Sequence, residues 1–190
     1  MSILLLGDNW HLKDKSNLER FNSGFTFNRE LFYKPAEFVK YMHDRGVRVG
    51  LSLDPSEGIH PHEPRFDNVA KAVGISDKQL IPFNVFDKEL TIAYFNELIE
   101  PLYKLGIDFF WINYRNLKDK NTNAALNYYH FNDYRKMEGL RPMILSRPNT
   151  YAPHRFPIHY SGETLVSWAT LRTLPFFNST SSNLGMSWWS

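Results

Sequence analysis

KELTIAYFNELIEPLYKLGIDFFWINYR, residues 88–115, decides the fold. Leu90, Ala93, Tyr94, Leu98, Leu102 and Leu105 fall near one face of a helix over 88–105, with Asp87 in front as its cap and Gly106 behind as its stop. IDFFWIN, residues 107–113, is then a run of large apolar residues that ends in Asn113, Tyr114 and Arg115. An amphipathic helix that turns through one glycine into a buried strand is half of an α/β repeat.

The same alternation extends to both sides. ILLLG, residues 3–7, reads as a buried strand ending in the polar cluster Asp8, Asn9, Trp10 and His11. After a loop, Pro35 opens a helix with Phe38, Val39, Tyr41 and Met42 at helical spacing, Gly46 stops it, and VRVGLSLDP (47–55) alternates like a strand. A short helix over about 63–73 precedes IPFNV (81–85), a further apolar run. Beyond the central segment, a helix over 123–137 leads through Gly139 to RPMILSR (141–147), a short helix lies around 164–174, and GMSWWS (185–190) begins like one more strand.

Strands alternating with helices across short loops predict a parallel α/β sheet with right-handed crossovers, covered on both faces. No GxGxxG or GxxxxGK loop follows a strand, which favours a barrel over a doubly wound sheet. An eightfold barrel takes ~200 to 250 residues or more. The 190 residues with five or six strands therefore predict a partial TIM (β/α)8-type barrel with helices outside, one domain over 1–190 without repeat or linker.

Composition narrows the function. With 22 basic and 20 acidic residues the net charge of +2 gives no electrostatic footprint for nucleic acid. No run of ~18 apolar residues suits a bilayer, and the opening residues carry no basic segment followed by a long apolar core. Zero cysteines exclude disulfides, thiol catalysis and cysteine-ligated metal, so the expected compartment is the cytoplasm. The 16% of aromatic residues serve either as large core side chains or as ring faces against sugars. His60, His62 and Glu63 lie close in a proline-containing loop that reads as a helix entry rather than a metal site. Asn178, Ser179 and Thr180 form a glycosylation sequon, idle unless the chain is secreted.

In parallel α/β folds functional side chains gather where strands end. Here those are Asp8, Asn9, Trp10 and His11; Asp54; Asn84; Asn113, Tyr114 and Arg115; Arg147; and a turn with His154, His159 and Glu163. This inventory suits a neutral, hydroxyl-rich ligand. Phe109 and Trp111 read as core, while Arg147 reads equally as a ligand contact or as a carboxylate's partner. With neither a GxSxG elbow nor a cysteine, hydrolysis would rest on carboxylates.

IDFFWINYR resembles the nucleophile strand of glycoside hydrolase family 31, written WWIDWQ. NRELFYKPAEFVKYMHDRGVRVGLSLDPSEGIHPHE (28–63) resembles that family's NRELFPDPxxFLxxLHxxGLKVxLNLHPADGxxPHE run. RPMILSRPNTYAPHRFPIHYSGETLVSWATL (141–171) and FFNSTSSNLGMSWWS (176–190) resemble its LSR, HRYPIGFSGDT and SNVGYGWWS segments, in the same order.

The resemblance implies the third to seventh strand regions of a barrel that hydrolyses α-linked glycosides, such as α-glucosides or α-xylosides, with retention. That chemistry needs a nucleophilic carboxylate and an acid/base carboxylate ~5 to 5.5 Å apart, and no cofactor or metal. The nucleophile position falls on Asn113 and the acid/base position on Glu163. Asp8, Asn9, Trp10, His11, Asp54, Arg147 and His154 are the expected carbohydrate-binding residues. Gly7 and Asn9 stand where the family's DxDWH segment has aspartates, and Asp54 where LHP has histidine. An amide at Asn113 forms no glycosyl ester, so the expected activity is weak or absent. The alternatives are a non-catalytic carbohydrate-binding or regulatory module and a truncated gene product, either of them self-associating through open barrel edges.

Overall fold

Three parallel strands, β1 (Ser2–Leu6), β2 (Val47–Leu53) and β3 (Phe109–Ile112), lie side by side in that order. They belong to the first of two compact units, Met1–Asn116 and Leu117–Ser190, of a computed structural model that describes residues 2–13, 23–116, 119–133, 142–147 and 151–190. Leu4 sits opposite Val49, and Leu53 opposite Ile112. Val49, Leu51 and Leu53 of β2 are fully buried, each contributing ~1.5–3 kcal/mol of apolar burial. Gly50 is required there because the Phe109 ring of its register partner lies where a Cβ would stand.

Helix α1 (Pro35–His43) packs on β2, and α2 (Phe66–Ala72) packs on α3 (Lys88–Ala93). The Asp87 cap is present, its carboxylate accepting from Leu90 N at 3.0 Å. The helix read as continuous over 88–105 is instead α3, a wide π-type turn over Tyr94–Ile99, and α4 (Glu100–Lys104). Pro101 supplies the reason: it has no N–H to donate and its ring crowds the carbonyl four residues back, so the preceding turn widens. Tyr94, Leu98, Ile99 and Leu102 all remain buried through the change.

Asp108, just before β3, joins the layers. Its carboxylate accepts from Val49 N and from Arg48 Nη1 at 2.7 Å each, and lies 2.8 Å from His43 Nε2 on α1. The apolar run IPFNV at 81–85 forms no strand and meets Ile59 through one antiparallel bridge at Ile81. The short helix expected over about 63–73 is α2, and Glu63 before it is buried and holds the loop before α1 through Phe25 N (2.8 Å) and Thr26 Oγ1 (2.6 Å).

In the second unit α5 (Lys120–Asn132) packs on β4 (Ile144–Ser146), which pairs in parallel with β5 (Ile158–His159). The C-terminal part of the helix expected to 137, with Gly139 and Arg141, lies outside the described residues. β5 is a strand the sequence did not announce. GMSWWS does run beside it, through a parallel bridge from His159 to Trp189. The helix expected over 164–174 is α6 (Trp168–Asn183), capped by Ser167 Oγ accepting from Thr170 N and continuing through Pro175. Trp168 and Phe176 are 79% and 76% exposed, and Ser181 is its buried residue. Among the described residues no helix is long and apolar enough to cross a membrane.

Candidate functional site

Parallel pairing brings the C-terminal ends of β1, β2 and β3 together, and the residues that follow the strands meet there. Ser52 on β2 is the hub. It donates from Oγ to Asp8 Oδ1 at 2.9 Å, and its carbonyl accepts from Trp10 Nε1 at 2.8 Å. Asn113, 1% exposed at the end of β3, directs Nδ2 at Asp8 Oδ1 (3.3 Å) and at Ser52 Oγ (3.4 Å). Arg115 Nη2 donates to the other oxygen, Asp8 Oδ2, in a close ion pair.

Arg115 also faces Asp54, with Nε at 3.7 Å from Oδ2 and the backbone N–H donating to Oδ1 at 3.4 Å. Ser56 N donates to the same Oδ1 at 3.0 Å. Burial raises the Asp54 pKa above the ordinary carboxylate value, while the Ser56 hydrogen bonds and the Arg115 charge act against that rise. Asp54 Oδ2 has a cation nearby but no hydrogen-bond donor.

Trp10, His11 and Asn9 follow β1. Trp10 is buried edge-on to Phe27 with ring centroids 4.9 Å apart. His11 is buried with Nδ1 2.9 Å from Leu12 O, its ring filling the space above Gly24. Asn9 is exposed and accepts from Lys13 Nζ at 2.8 Å. A hollow of about 400 Å³ opens at the end of β1, lined by Leu6, Asp8, Asn9, Trp10, Leu31 and Phe32 among others. That lies within the ~300–1,000 Å³ typical of ligand sites.

Arg147, His154 and Glu163 belong to the second unit. Arg147 follows β4 and holds its guanidinium 5.1 Å from the centroid of the Tyr160 ring. His154 is exposed in a 3-10 turn over Pro153–Arg155, entered through Ala152 at φ +51°. Glu163 is exposed after Gly162, whose φ of +99° favours glycine. Ser146 and His159, the last residues of β4 and β5, are register partners and fully buried. Burial and the nearby His154 charge lower the His159 pKa. A hollow of about 710 Å³ lies against α6, lined by Ser161, Thr164, Leu174, Phe177, Met186 and Trp189 among others, with none of the candidate residues in its wall.

Among the described residues no three His, Asp or Glu side chains form a metal-binding group. His60 and His62 stack at 5.3 Å, and Glu63 is committed to the loop it holds. Ser52 is the participant that the strand-end reading omitted, whereas Arg115 stood among the strand-end residues without an assigned role. For Ser52 the signal is available in the sequence, since the alternation VRVGLSL places a small polar residue next to the strand end.

Comparison with known proteins agrees with this strand–helix succession. The Glycosyl hydrolases family 31 TIM-barrel domain matches residues 8–190. An α-xylosidase of Saccharolobus solfataricus is 23% identical over 175 residues, covering 79% of this chain and 23% of the relative. A family 31 α-xylosidase from a soil metagenome, solved with xylose, aligns at TM-score 0.65 and 14% identity over 100% of this chain and 31% of its own. A cycloalternan-degrading enzyme from Trueperella pyogenes aligns at TM-score 0.65 and 15% identity over 100% of this chain and 34% of its own. The chain thus spans 23% to 34% of the length of these relatives. With strands paired in parallel and a family match over nearly its whole length, this chain is part of a TIM barrel and belongs to glycoside hydrolase family 31.

Proposed function

We propose that this chain recognises α-linked glycosides and hydrolyses them weakly or not at all. One observation carries the reading: Asn113, at the position that resemblance assigns to the nucleophile, is a buried neutral amide whose nitrogen is turned toward Asp8 and Ser52. An amide neither attacks an anomeric carbon nor leaves as a carboxylate, so double displacement lacks its first step. Glu163 keeps a carboxyl group at the assigned acid/base position, one methylene longer than the family's aspartate. The α-xylosidase and cycloalternan-degrading relatives support α-linked sugars as the ligand class.

In this proposal Asp8, Asn9, Trp10, His11 and Asp54 of the first unit are carbohydrate-binding residues, as are Arg147 and His154 of the second, and residues 1–190 are one incomplete barrel domain. The strongly exposed α6 and the half-exposed β1 support self-association, and the absence of cysteine supports a cytoplasmic setting. The test is turnover of nitrophenyl α-glucoside and α-xyloside by purified chain, beside calorimetry with maltose, isomaltose and xylosides. Saturable heat without turnover is expected. Turnover abolished by Glu163→Gln would overturn the inactive reading, and silence with every sugar would overturn the carbohydrate reading.

A further inference from the structure

We infer that the free edge of β1 pairs with β1 of a second copy of the chain, antiparallel about Leu4, joining the parallel strands of two first units into one continuous sheet. The inference gives a surface and a register to the self-association stated above, and rests on it.

Three observations carry it. Among the described residues β1 pairs on one side only, with β2, so alternate N–H and C=O groups of Ser2–Leu6 turn outward without a ladder partner. The strand, SILLL, has none of the devices that keep an edge from pairing, neither a charge nor a proline. Four of its five residues are large and apolar, yet none is buried: Ile3 is 50% exposed and Leu4, Leu5 and Leu6 are half-buried, whereas Val49, Leu51 and Leu53 of β2 are fully buried.

The third observation names the occupant. Successive strand residues point to opposite faces, so the 400 Å³ hollow that both Leu5 and Leu6 line runs along this edge rather than over one face. Antiparallel pairing about Leu4 sets Ile3 against the partner's Leu5, and Leu5 against the partner's Ile3. The exposed Ile3 of each copy then enters the apolar part of the other copy's hollow, formed by Leu5, Leu6, Leu31 and Phe32. The contact is made twice and closes on itself, which a second copy of the same surface supplies. No charge lies within the strand, so two copies meet there without like-charge repulsion. A pair of five-residue strands is a small interface, below the ~1,200 Å² of standard ones, so the dimer forms reversibly.

Sedimentation of the full chain from about 1 μM to about 1 mM reads the dimer. The chain has no cysteine, so single-cysteine variants in oxidised glutathione buffer read the register. Leu4→Cys sets two thiols opposite each other on the two-fold axis with Cβ atoms ~4.5–5.5 Å apart, close enough to bridge with a small adjustment. Ile3→Cys sets them two residues out of register, beyond the ~7 Å between Cα atoms that a disulfide spans. Phe86→Cys, 64% exposed in the loop before α3, measures random collision. Wild type is expected to pass from monomer to dimer with concentration, and Ile3→Lys, which puts a charge into the apolar contact, to weaken the dimer by about tenfold or more. Leu4→Cys should cross-link about tenfold faster than Phe86→Cys, and Ile3→Cys no faster than Phe86→Cys. A wild-type dimer in which Leu4→Cys and Phe86→Cys cross-link alike, or which Ile3→Lys leaves intact, overturns the β1 assignment and leaves self-association through another surface. A chain monomeric at every concentration overturns both.

Discussion

Asn113→Asp restores the family's residue at the assigned nucleophile position, and the structure predicts that it destabilises the chain without restoring hydrolysis. Asn113 Nδ2 lies 3.3 Å from Asp8 Oδ1. A carboxylate oxygen in its place puts two negative charges at that separation, a repulsion of ~5 kcal/mol at an effective dielectric of ~20. Arg115 on the other Asp8 oxygen and the partial exposure of Asp8 offset part of this, leaving ~2–3 kcal/mol, or roughly two pKa units on the shared site. The pair then keeps one proton, with a folded-state pKa raised above the unfolded ~3.9. A raised carboxyl pKa gives stability that is complete below the unfolded value and lost as pH rises through the folded one. Urea unfolding followed by tryptophan fluorescence should find Asn113→Asp close to wild type near pH 4 and ~2–3 kcal/mol weaker at pH 8. Asp8→Asn combined with Asn113→Asp inverts the pair and should recover most of the loss. An Asn113→Asp chain as stable as wild type at pH 8, or one that turns over nitrophenyl glycosides, would refute the reasoning.

Three further outcomes follow from groups away from this pair. Asp108→Ala leaves the Val49 N–H without its acceptor and parts Arg48 and His43 from their carboxylate; the expected loss is ~2–4 kcal/mol, mostly from the buried amide, read by urea unfolding and by faster hydrogen exchange at Val49. Complete burial pushes the His130 pKa down to about 3 from 6.5, so the unfolded chain takes up the proton first. Stability should then fall with pH between about 6.5 and 3, by at most ~1.4 kcal/mol per pH unit, and a His130→Leu chain should show a flatter acid limb. Gly50→Ala drives a methyl into the Phe109 ring; overpacking should lower stability by ~1–3 kcal/mol, and Phe109→Leu in the same chain should relieve part of it.

How much of this was legible depends on the range of the interaction that fixes each feature. β2, β3 and the Asp87 cap are set by neighbours a few residues away, and the sequence shows them as alternation, an apolar run and a short polar residue before a helix. The π-type turn was legible in principle, because Pro101 stands inside the amphipathic pattern, but helical spacing alone hides it. IPFNV misleads because apolar content is not pairing: Asn84 Oδ1 accepts from Phe86 N at 3.1 Å and turns the chain out of any strand. β5 is two residues long between Pro157 and the SGE turn, too short for periodicity. The site divides in the same way. The strand-end rule selects Asp8, Asp54, Asn113 and Arg115, but their joining, through Ser52 and through the Arg115–Asp8 pair, spans 44 and 107 residues, and that pairing exists only once the three strands lie parallel.

The direction of those hydrogen bonds carries the functional argument further than the list of substituted positions does. Ser52 donates its hydroxyl proton to Asp8, so its lone pair is what Asn113 Nδ2 meets at 3.4 Å. The sense of donation thus runs from β3 through β2 to β1, and the Arg115 guanidinium arrives from the β3 end on the same acceptor. A retaining glycosidase needs the reverse polarity, a carboxylate at the end of the nucleophile strand with donors turned toward it. At position 113 alone, aspartate would be one atom's change; within this cluster it sets an acceptor against two acceptors, Asp8 Oδ1 and the Ser52 lone pair. The negative charge that position 113 meets sits after β1, at Asp8, so a carboxylate at 113 ionises fully only once that charge is removed.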